Sequence, residues 1–350
     1  MSEDASSDRS VSLIVVNYNG ESSLRECVHS LLHSLGPESE LFLIDNASSD
    51  ESPRLLEELG ALSSRIQTLQ FEENLGYAGA VNRVLPRCVG RYIAVLNMDI
   101  QAEENWLAPL VDFLERRPEV AAVNPLLTLQ DGQIVNAAGQ DVHVTGLGFN
   151  HALGATRDSI GPEPFPISGL QGAAFLIRKS ALEEAGGMDD SGFLYHEDVN
   201  LSWLLRLMGN DLYCVPNAVV RHDYFLSMHA EKLYLLERNR LAMLASYLAP
   251  ATRLWLSPLL LLTEFLLWGY ALIRGPSFLA AKGRSYGGLW RNRQQIRLRR
   301  NQARRLRMRS DPAVLASMKL SYPIRQLLTL ARESAPPRKP VPTPKPRMRD

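Results

Sequence analysis

Cysteine is scarce in this chain of 350 residues: Cys27, Cys88 and Cys214 are all there is. They form neither a Cys-x-x-Cys pair nor a Cys/His zinc pattern. That excludes a disulfide-stapled scaffold and a zinc module, and it fits a reducing compartment. No internal repeat is visible. The opening stretch, Met1 to Arg9, is polar and acidic, without the basic-then-apolar pattern of a secretory signal. The large domain is therefore expected to stay in the cytoplasm. Long apolar runs are missing except for Leu254 to Ile273, and acids are missing from Phe265 to Ser310.

What is present is a hydrophobic content of 45%, enough for one large domain with an appendage. The formal net charge of +0 conceals a split. Residues 1–264 hold 35 acidic and 18 basic side chains, whereas residues 265–350 hold 3 acidic and 20 basic. An acidic globular part thus precedes a basic one that seeks anionic surfaces.

Short apolar runs alternate with amphipathic stretches. Val11 to Val16, Leu41 to Ile44, Ile66 to Phe71, Tyr92 to Leu96 and Val120 to Val123 read as buried strands. Helices are expected over Glu21 to Leu35, Pro53 to Leu62, Gly79 to Val89 and Trp106 to Arg116. This order predicts an α/β fold with a doubly wound, mostly parallel sheet. Right-handed crossovers then gather the strand C-terminal ends on one edge, where ligands bind. Asn17, Asp45 and Asp99 all fall on that edge.

Residues 124–170 read as loops and short antiparallel strands beside the site. A strand over Gln171 to Arg178, a helix over Ser180 to Ala185 and a helix over 231–249 follow. The twenty residues from Leu254 to Ile273 would span a bilayer. Glu264 near their middle would cost roughly 2.5–3.5 kcal/mol there, and a buried or dimer-forming helix is the other reading. The Arg-rich clusters that follow fit an anchor on the anionic cytoplasmic leaflet, and the adjoining apolar run favours lipid over nucleic acid. The expected organisation is a disordered leader over 1–10 and a globular domain over 11–250. A helical membrane-associating region over 251–330 and a Pro/basic-rich disordered tail over 331–350 complete it.

The densest signal is Phe193-Leu-Tyr-His-Glu-Asp-Val-Asn-Leu201, two adjacent carboxylates before a helix-like run. Acids at a helix start are ordinary, because that end carries partial positive charge. A second acidic site, Asn97-Met98-Asp99, ends an apolar run upstream. Two separated acidic sites on one α/β chain point to a metal-anchored leaving group and a general base, the chemistry of sugar transfer.

Val11-Ser-Leu-Ile-Val-Val-Asn-Tyr-Asn-Gly20, Leu43-Ile-Asp-Asn-Ala-Ser-Ser-Asp50, Glu73-Asn-Leu-Gly-Tyr-Ala-Gly79, Leu96-Asn-Met-Asp99 and Glu197-Asp198 occur in that order. Over residues 10–250 the chain resembles family-2 glycosyltransferases, most of all their rhamnosyltransferase-like branch. The resemblance implies a GT-A fold, a nucleotide-diphosphate sugar donor (dTDP or UDP), Mg2+ or Mn2+, and inversion at the anomeric carbon. It implies donor contacts at Asn17, Asn19, Asp45, Asn74, Gly76, Gly79 and Asn97, with Asp45 reaching the base. It gives Asp99 and His222 as metal ligands, Asp198 as the catalytic base and Glu197 as its catalytic neighbour. Each position also has a plain structural reading: Asx turn or N-cap for the aspartates, a simple turn for the glycines, a structural role for a lone histidine. Asp50 suits a cap better than Asp45 does. This chain has Asn97 where many relatives have an acid, so Asp99 is the expected direct ligand.

Trp203 reads as core, and Arg206 as a salt-bridge partner or a phosphate contact. Arg238-Asn239-Arg240 reads as a phosphate or acceptor contact or as a solvated helix face. The Gln-x-x-Arg-Trp motif of processive polysaccharide synthases is missing. The reading is an inverting transferase at the cytoplasmic membrane face, acting on a glycan or lipid-linked acceptor, with a homodimer possible through the apolar helix. A sugar nucleotidyltransferase would need a glycine-rich basic loop after the first strand, and Asn17-Tyr-Asn-Gly20 is not one. A catalytically silent membrane scaffold is the third reading.

Overall fold

The computed structural model describes residues 10–36, 38–223, 227–324 and 326–327. Residues 1–9 of the expected leader over 1–10, and the whole expected tail over 331–350, lie outside them. Strand β1 (Val11–Asn17) is buried along its whole length and pairs in parallel with β2 (Glu40–Asp45) and with β4 (Tyr92–Asn97). Strand β3 (Ile66–Gln70) extends the set beyond β2. The helices between them carry apolar stripes at helical spacing. In α1 (Leu24–Leu32) the buried residues are Leu24, Cys27, Val28 and Leu31. The helices α2 (Ser52–Gly60) and α3 (Gly76–Val84) supply the next two crossovers.

Successive β1 residues point to opposite faces, as strand geometry requires. Leu13 and Val15 join a core with Leu24 and Leu56, and Ile14 and Val16 join the other core with Phe42 and Val81. A sheet buried on both faces needs apolar residues at every position, which is why the strands read as continuous runs.

Beyond β4 the sheet changes. Strand β5 (Ile100–Ala102) and helix α4 (Leu107–Arg116) lead into β6 (Val120–Thr128). The chain then makes short strands β7 (Val135–Ala137), β8 (Gln140–Val142), β9 (Gly148–Asn150) and β10 (Phe165–Pro166). It re-enters the sheet as β11 (Ala174–Arg178), antiparallel to both β4 and β6. No crossover α-helix lies between β6 and β11 among the described residues, and parallel pairing requires one. Helices α5 (Lys179–Glu184) and α6 (Glu197–Leu207) precede β12 (Asp211–His222), which pairs in parallel with β6. The main path is β10-β12-β6-β11-β4-β1-β2-β3: the parallel blocks β12-β6 and β4-β1-β2-β3 are joined by the reversed β11, and β10 pairs antiparallel at the edge.

The C-terminal helices are α7 (Ala230–Tyr247), α8 (Pro250–Trp255), α9 (Ser257–Arg274), α10 (Pro276–Arg291), α11 (Arg293–Leu306) and α12 (Asp311–Leu315). The apolar run expected as one twenty-residue segment is broken at Leu256, with Pro258 in the first turn of α9. Helix α9 is long and apolar enough to cross a membrane by length and composition. It exposes Leu261, Phe265 and Leu272 but buries Thr263 and Ala271. These helices close back on the sheet domain: Arg309 Nη1 lies 2.8 Å from Asp211 Oδ1, and Lys319 N donates to Val142 O.

Glu264 does not face outward. It takes a hydrogen bond from Arg240 Nη2 of α7 at 2.6 Å and one from Lys282 Nζ of α10 at 2.6 Å. Glu237 takes a bond from each of the same two cations. Two acids and two bases thus balance inside the helix pack, and Lys282 is 0% exposed. This lattice bolts α9 to the domain. Removing one member leaves uncompensated buried charge, which costs about 3–5 kcal/mol. Lys282→Met should therefore lower the melting temperature of the full chain by several degrees, whereas Arg284→Ala, which breaks the exposed pair with Glu231, should move it little. Thermal melts of both variants in detergent decide it; equal small shifts would mean the lattice carries no stability.

Candidate functional site

The strand ends meet as the sheet requires. Asn17 sits opposite Asp45 in the register, and Val16 opposite Asn97. Asn17 Nδ2 donates to Asp45 Oδ1 at 3.1 Å, and Ser48 N donates to Asp45 Oδ2 at 3.0 Å. Asp45 is nearly buried, so its carboxylate organises the loop after β2. Asn19, at φ 53°, accepts from Ser49 N and donates its own N–H to Ser48 Oγ. Asn74 Oδ1 accepts from Asn46 Nδ2 and from Gly76 N, closing the turn into α3.

The two glycines of that turn are needed for chain packing. Gly76 has φ +73°, and a Cβ there would sit 1.9 Å from Phe193 O. A Cβ on Gly79 would meet Leu75 Cβ at 3.1 Å. What approaches Gly76 so closely is thus the loop before Glu197.

That loop is strained. Phe193, Tyr195 and His196 all have positive φ, costing about 1–3 kcal/mol each for side chains of this size. It persists because Asn239 Nδ2 of α7 donates to Leu194 O at 3.0 Å and Tyr195 O at 2.8 Å and reaches Gly192 O at 3.2 Å. Arg238 also donates to Gly192 O. The solvated helix face expected over Arg238-Asn239-Arg240 is therefore overturned: all three are buried, because α9 to α11 cover that side of α7. Arg206, read as a salt-bridge partner or a phosphate contact, makes no ion pair among the described residues. It is buried and donates to the carbonyls of Ile167 and Ser168. Trp203 is core.

The loop delivers Glu197 and Asp198 to the start of α6. Asp198 Oδ2 accepts from Gln140 Nε2 at 2.8 Å and Gly172 N at 3.0 Å, and Oδ1 accepts from Val199 N at 2.8 Å. Burial raises the pKa of Asp198, and the three donors oppose that rise. Burial, then the adjacent Asp198 charge, pushes Glu197 up to about 8. The donors converge on Asp198 and favour its ionised form, whereas Glu197 has no such side-chain donor among the described residues to offset its burial.

Asp99 and His222 meet through β5. His222 pairs with Ile100 in the antiparallel β5–β12 register, which places His222 Nε2 3.4 Å from Asp99 Oδ1. Asn136 Oδ1 lies 2.9 Å from His222 Nδ1 and fixes that nitrogen as the donor. The Nε2 lone pair then faces a buried carboxylate oxygen without a hydrogen-bond partner. Two acceptors turned toward each other, one of them oriented by an amide behind it, fit an oxygen- and nitrogen-ligated divalent cation. No group of three or more His, Cys, Asp or Glu gathers there among the described residues, so further ligands would come from bound substrate.

One cavity of about 730 Å3 brings Asn97 and His222 together with Glu197 and Asp198, whereas Asn17, Asn19, Asp45, Asn74, Gly76, Gly79 and Asp99 are not part of its lining. Asn97, His222, Glu197 and Asp198 line one end, together with Tyr77, whose hydroxyl donates to Gly172 O. Gln140, Gly172 and Asn136 carry the site's geometry and had no motif to announce them. Asn239 belongs to the triplet singled out above, and the strand expected from Gln171 begins only at Ala174, which leaves Gly172 N free of the strand and bonded to Asp198.

Asn239 acts on the reaction only through the loop. Asn239→Leu should lower kcat by about 10- to 100-fold, as displacement of a reacting group by an ångström does, while the KM for donor stays within about twofold. Steady-state kinetics separate the two, and equal loss in kcat and KM would mark a purely structural residue.

Residues 12–186 match the family described as Glycosyl transferase family 2. The chain is 27% identical over 232 residues to the N-acetylglucosaminyl-diphospho-decaprenol L-rhamnosyltransferase of Mycobacterium tuberculosis, covering 60% of this chain and 75% of that one. Among solved structures, GalNAc-T7 with UDP, GalNAc and Mn2+ superposes with a TM-score of 0.56 at 20% identity, over 68% of this chain and 48% of its own. S. aureus TarS 1-349 with UDP-GlcNAc superposes at 0.54 and 16% identity, over 91% and 92%. At these identities the structures speak for the fold, which is GT-A. The family match covers half the chain and contains the strand-edge residues described above, so this chain belongs to glycosyl transferase family 2 and is a glycosyltransferase.

Proposed function

We propose that the enzyme is an inverting, cation-dependent transferase. It moves a sugar, rhamnose by analogy with the mycobacterial relative, from a dTDP- or UDP-sugar to a hydroxyl of a lipid-linked or cell-envelope glycan. The observation that carries this reading is the single cavity with Asn97 and His222 beside Glu197 and Asp198. The relative's name carries a diphospho-decaprenol acceptor; two solved structures of the same fold hold UDP or a UDP-sugar, and a third holds GDP-Man with Mn2+.

In this reading Asn17, Asn19 and Asp45 form the nucleoside end of the donor site. Asn74, Gly76 and Gly79 shape the turn beside the diphosphate, at the start of α3 where backbone N–H groups favour anions. Asp99 and His222 hold Mg2+ or Mn2+, with Asn97 beside them. A cation held by them would supply Lewis-acid neutralisation of the diphosphate's charge. Asp198 accepts the proton of the acceptor hydroxyl as its oxygen bonds to the anomeric carbon from the side opposite the leaving phosphate. Neutral Glu197 keeps a second negative charge away from that oxygen. The helical region at the C-terminus seats the enzyme on the anionic cytoplasmic face of the membrane.

A hydrolysis and transfer panel of UDP-, dTDP- and GDP-sugars with Mg2+ or Mn2+ tests the reading. Asp198→Asn should leave donor binding intact and reduce transfer by at least 100-fold; loss of both together would make the residue structural. Asp99→Ala should abolish the gain in donor affinity on adding Mn2+, read by calorimetry, and an unchanged metal titration would reject the ligand assignment. The base works only when ionised, so transfer should fall as pH drops through the raised pKa of Asp198. Glu197→Gln mimics the protonated form. It should keep most activity at pH 7 and lose the wild-type inflection near pH 8; an unchanged inflection would place it on another group.

A further inference from the structure

The catalytic cavity has a second half that the transfer chemistry does not use. Its lining also includes Leu233 and Leu236 of α7 and Phe265, Leu266, Tyr270 and Ile273 of α9. Phe265 and Ile273 are also 74% and 76% exposed, so this wall continues without a break onto the outer apolar face of α9. The polar groups beneath it are already engaged: Arg240 and Glu237 with each other, Thr263 with Leu259 O and Tyr322. Lys232 lines the same cavity, its ammonium 5.1 Å from the ring centroid of Tyr195, two residues before Glu197.

We propose that this half of the cavity, between α7 and α9, holds the single hydrocarbon chain of a phosphate-linked lipid acceptor, whose head group then lies at Lys232 and Asp198. The inference rests on the transferase reading above and names the acceptor's class. A peptide laid along the wall would bury N–H and C=O groups without partners, whereas a hydrocarbon chain needs none. A positive charge in the same cavity as the apolar wall suits the phosphate that joins such a chain to its sugar. Continuity with the catalytic end is what a second copy of α9 docked there would not explain. The chain's far end would run out along α9 into the bilayer, which makes the exposed strip of that helix part of the acceptor path.

Gly269 offers the test. It lies on this wall, and a Cβ built on it meets nothing within 4 Å, so a larger side chain enters the groove without disturbing the helix packing. The full-length enzyme is photolabelled with a diazirine-bearing C15 isoprenyl diphosphate below its micelle concentration. Labelled peptides should come from α7 and α9. Unlabelled dodecyl phosphate should compete at least tenfold better than inorganic pyrophosphate. Gly269→Trp and the smaller plug Gly269→Leu should cut labelling at least fivefold, in that order, with donor hydrolysis and melting temperature unchanged. Labelling that persists in both variants would place the probe on the outer face of α9 and overturn the proposal. Equal competition by pyrophosphate would reduce it to a head-group site, and a change only in oligomeric state by light scattering would make the wall a dimer contact; either overturns it. Labelling is read without turnover, so a wild-type enzyme that hydrolyses no donor in the panel would sink the transferase reading separately.

Discussion

The loop Gly192 to His196 is the constraint on which the site depends. It is held in an unfavourable backbone conformation by carbonyl contacts to Asn239 and Arg238 on a helix some 45 residues further along. Left-handed conformations at three bulky residues survive only where surrounding contacts over-determine them. The result is that α6 begins with its two carboxylates inside the cavity. Gly76 is required on the other flank, because nothing with a side chain fits against Phe193 O.

The same helix that clamps the loop is itself held. On one turn of α7, Glu237 and Arg240 enter the ion lattice with Glu264 and Lys282, while Arg238 and Asn239 reach the loop. Arg299 of α11 pairs with Asp189, just before the loop. The apolar and basic helices are thus mechanically joined to the transferase chemistry. Helix α9 presents an apolar strip outward and lines the cavity of Glu197 and Asp198 inward.

Much of the site was legible in the sequence. Asn17, Asp45 and Asn97 end buried parallel strands, and right-handed crossovers leave such ends no choice but a common edge. The order of the motifs carried the family, and the resemblance is what put Asp99, His222 and Asp198 forward as candidates. Other parts were not legible. Gln140 and Gly172 meet Asp198 from 58 and 26 residues away, through an irregular segment whose path no periodicity encodes. Arg238-Asn239-Arg240 looked solvated because polar residues on a helix usually are; here other helices cover them and each finds a buried partner. The reversal of β11 was hidden as well, since a buried strand reads the same in either direction.

The sequence by itself determined the elements, the strand edge and the chemical kinds of the reacting groups, because periodicity and strand ends are local properties of the chain. Tertiary structure alone decided which amide holds the base, which strained loop presents it, and that Glu264 turns inward to cations rather than outward to lipid. Those outcomes come from contacts between distant segments, and a contact has no signature in either partner until the fold brings both together.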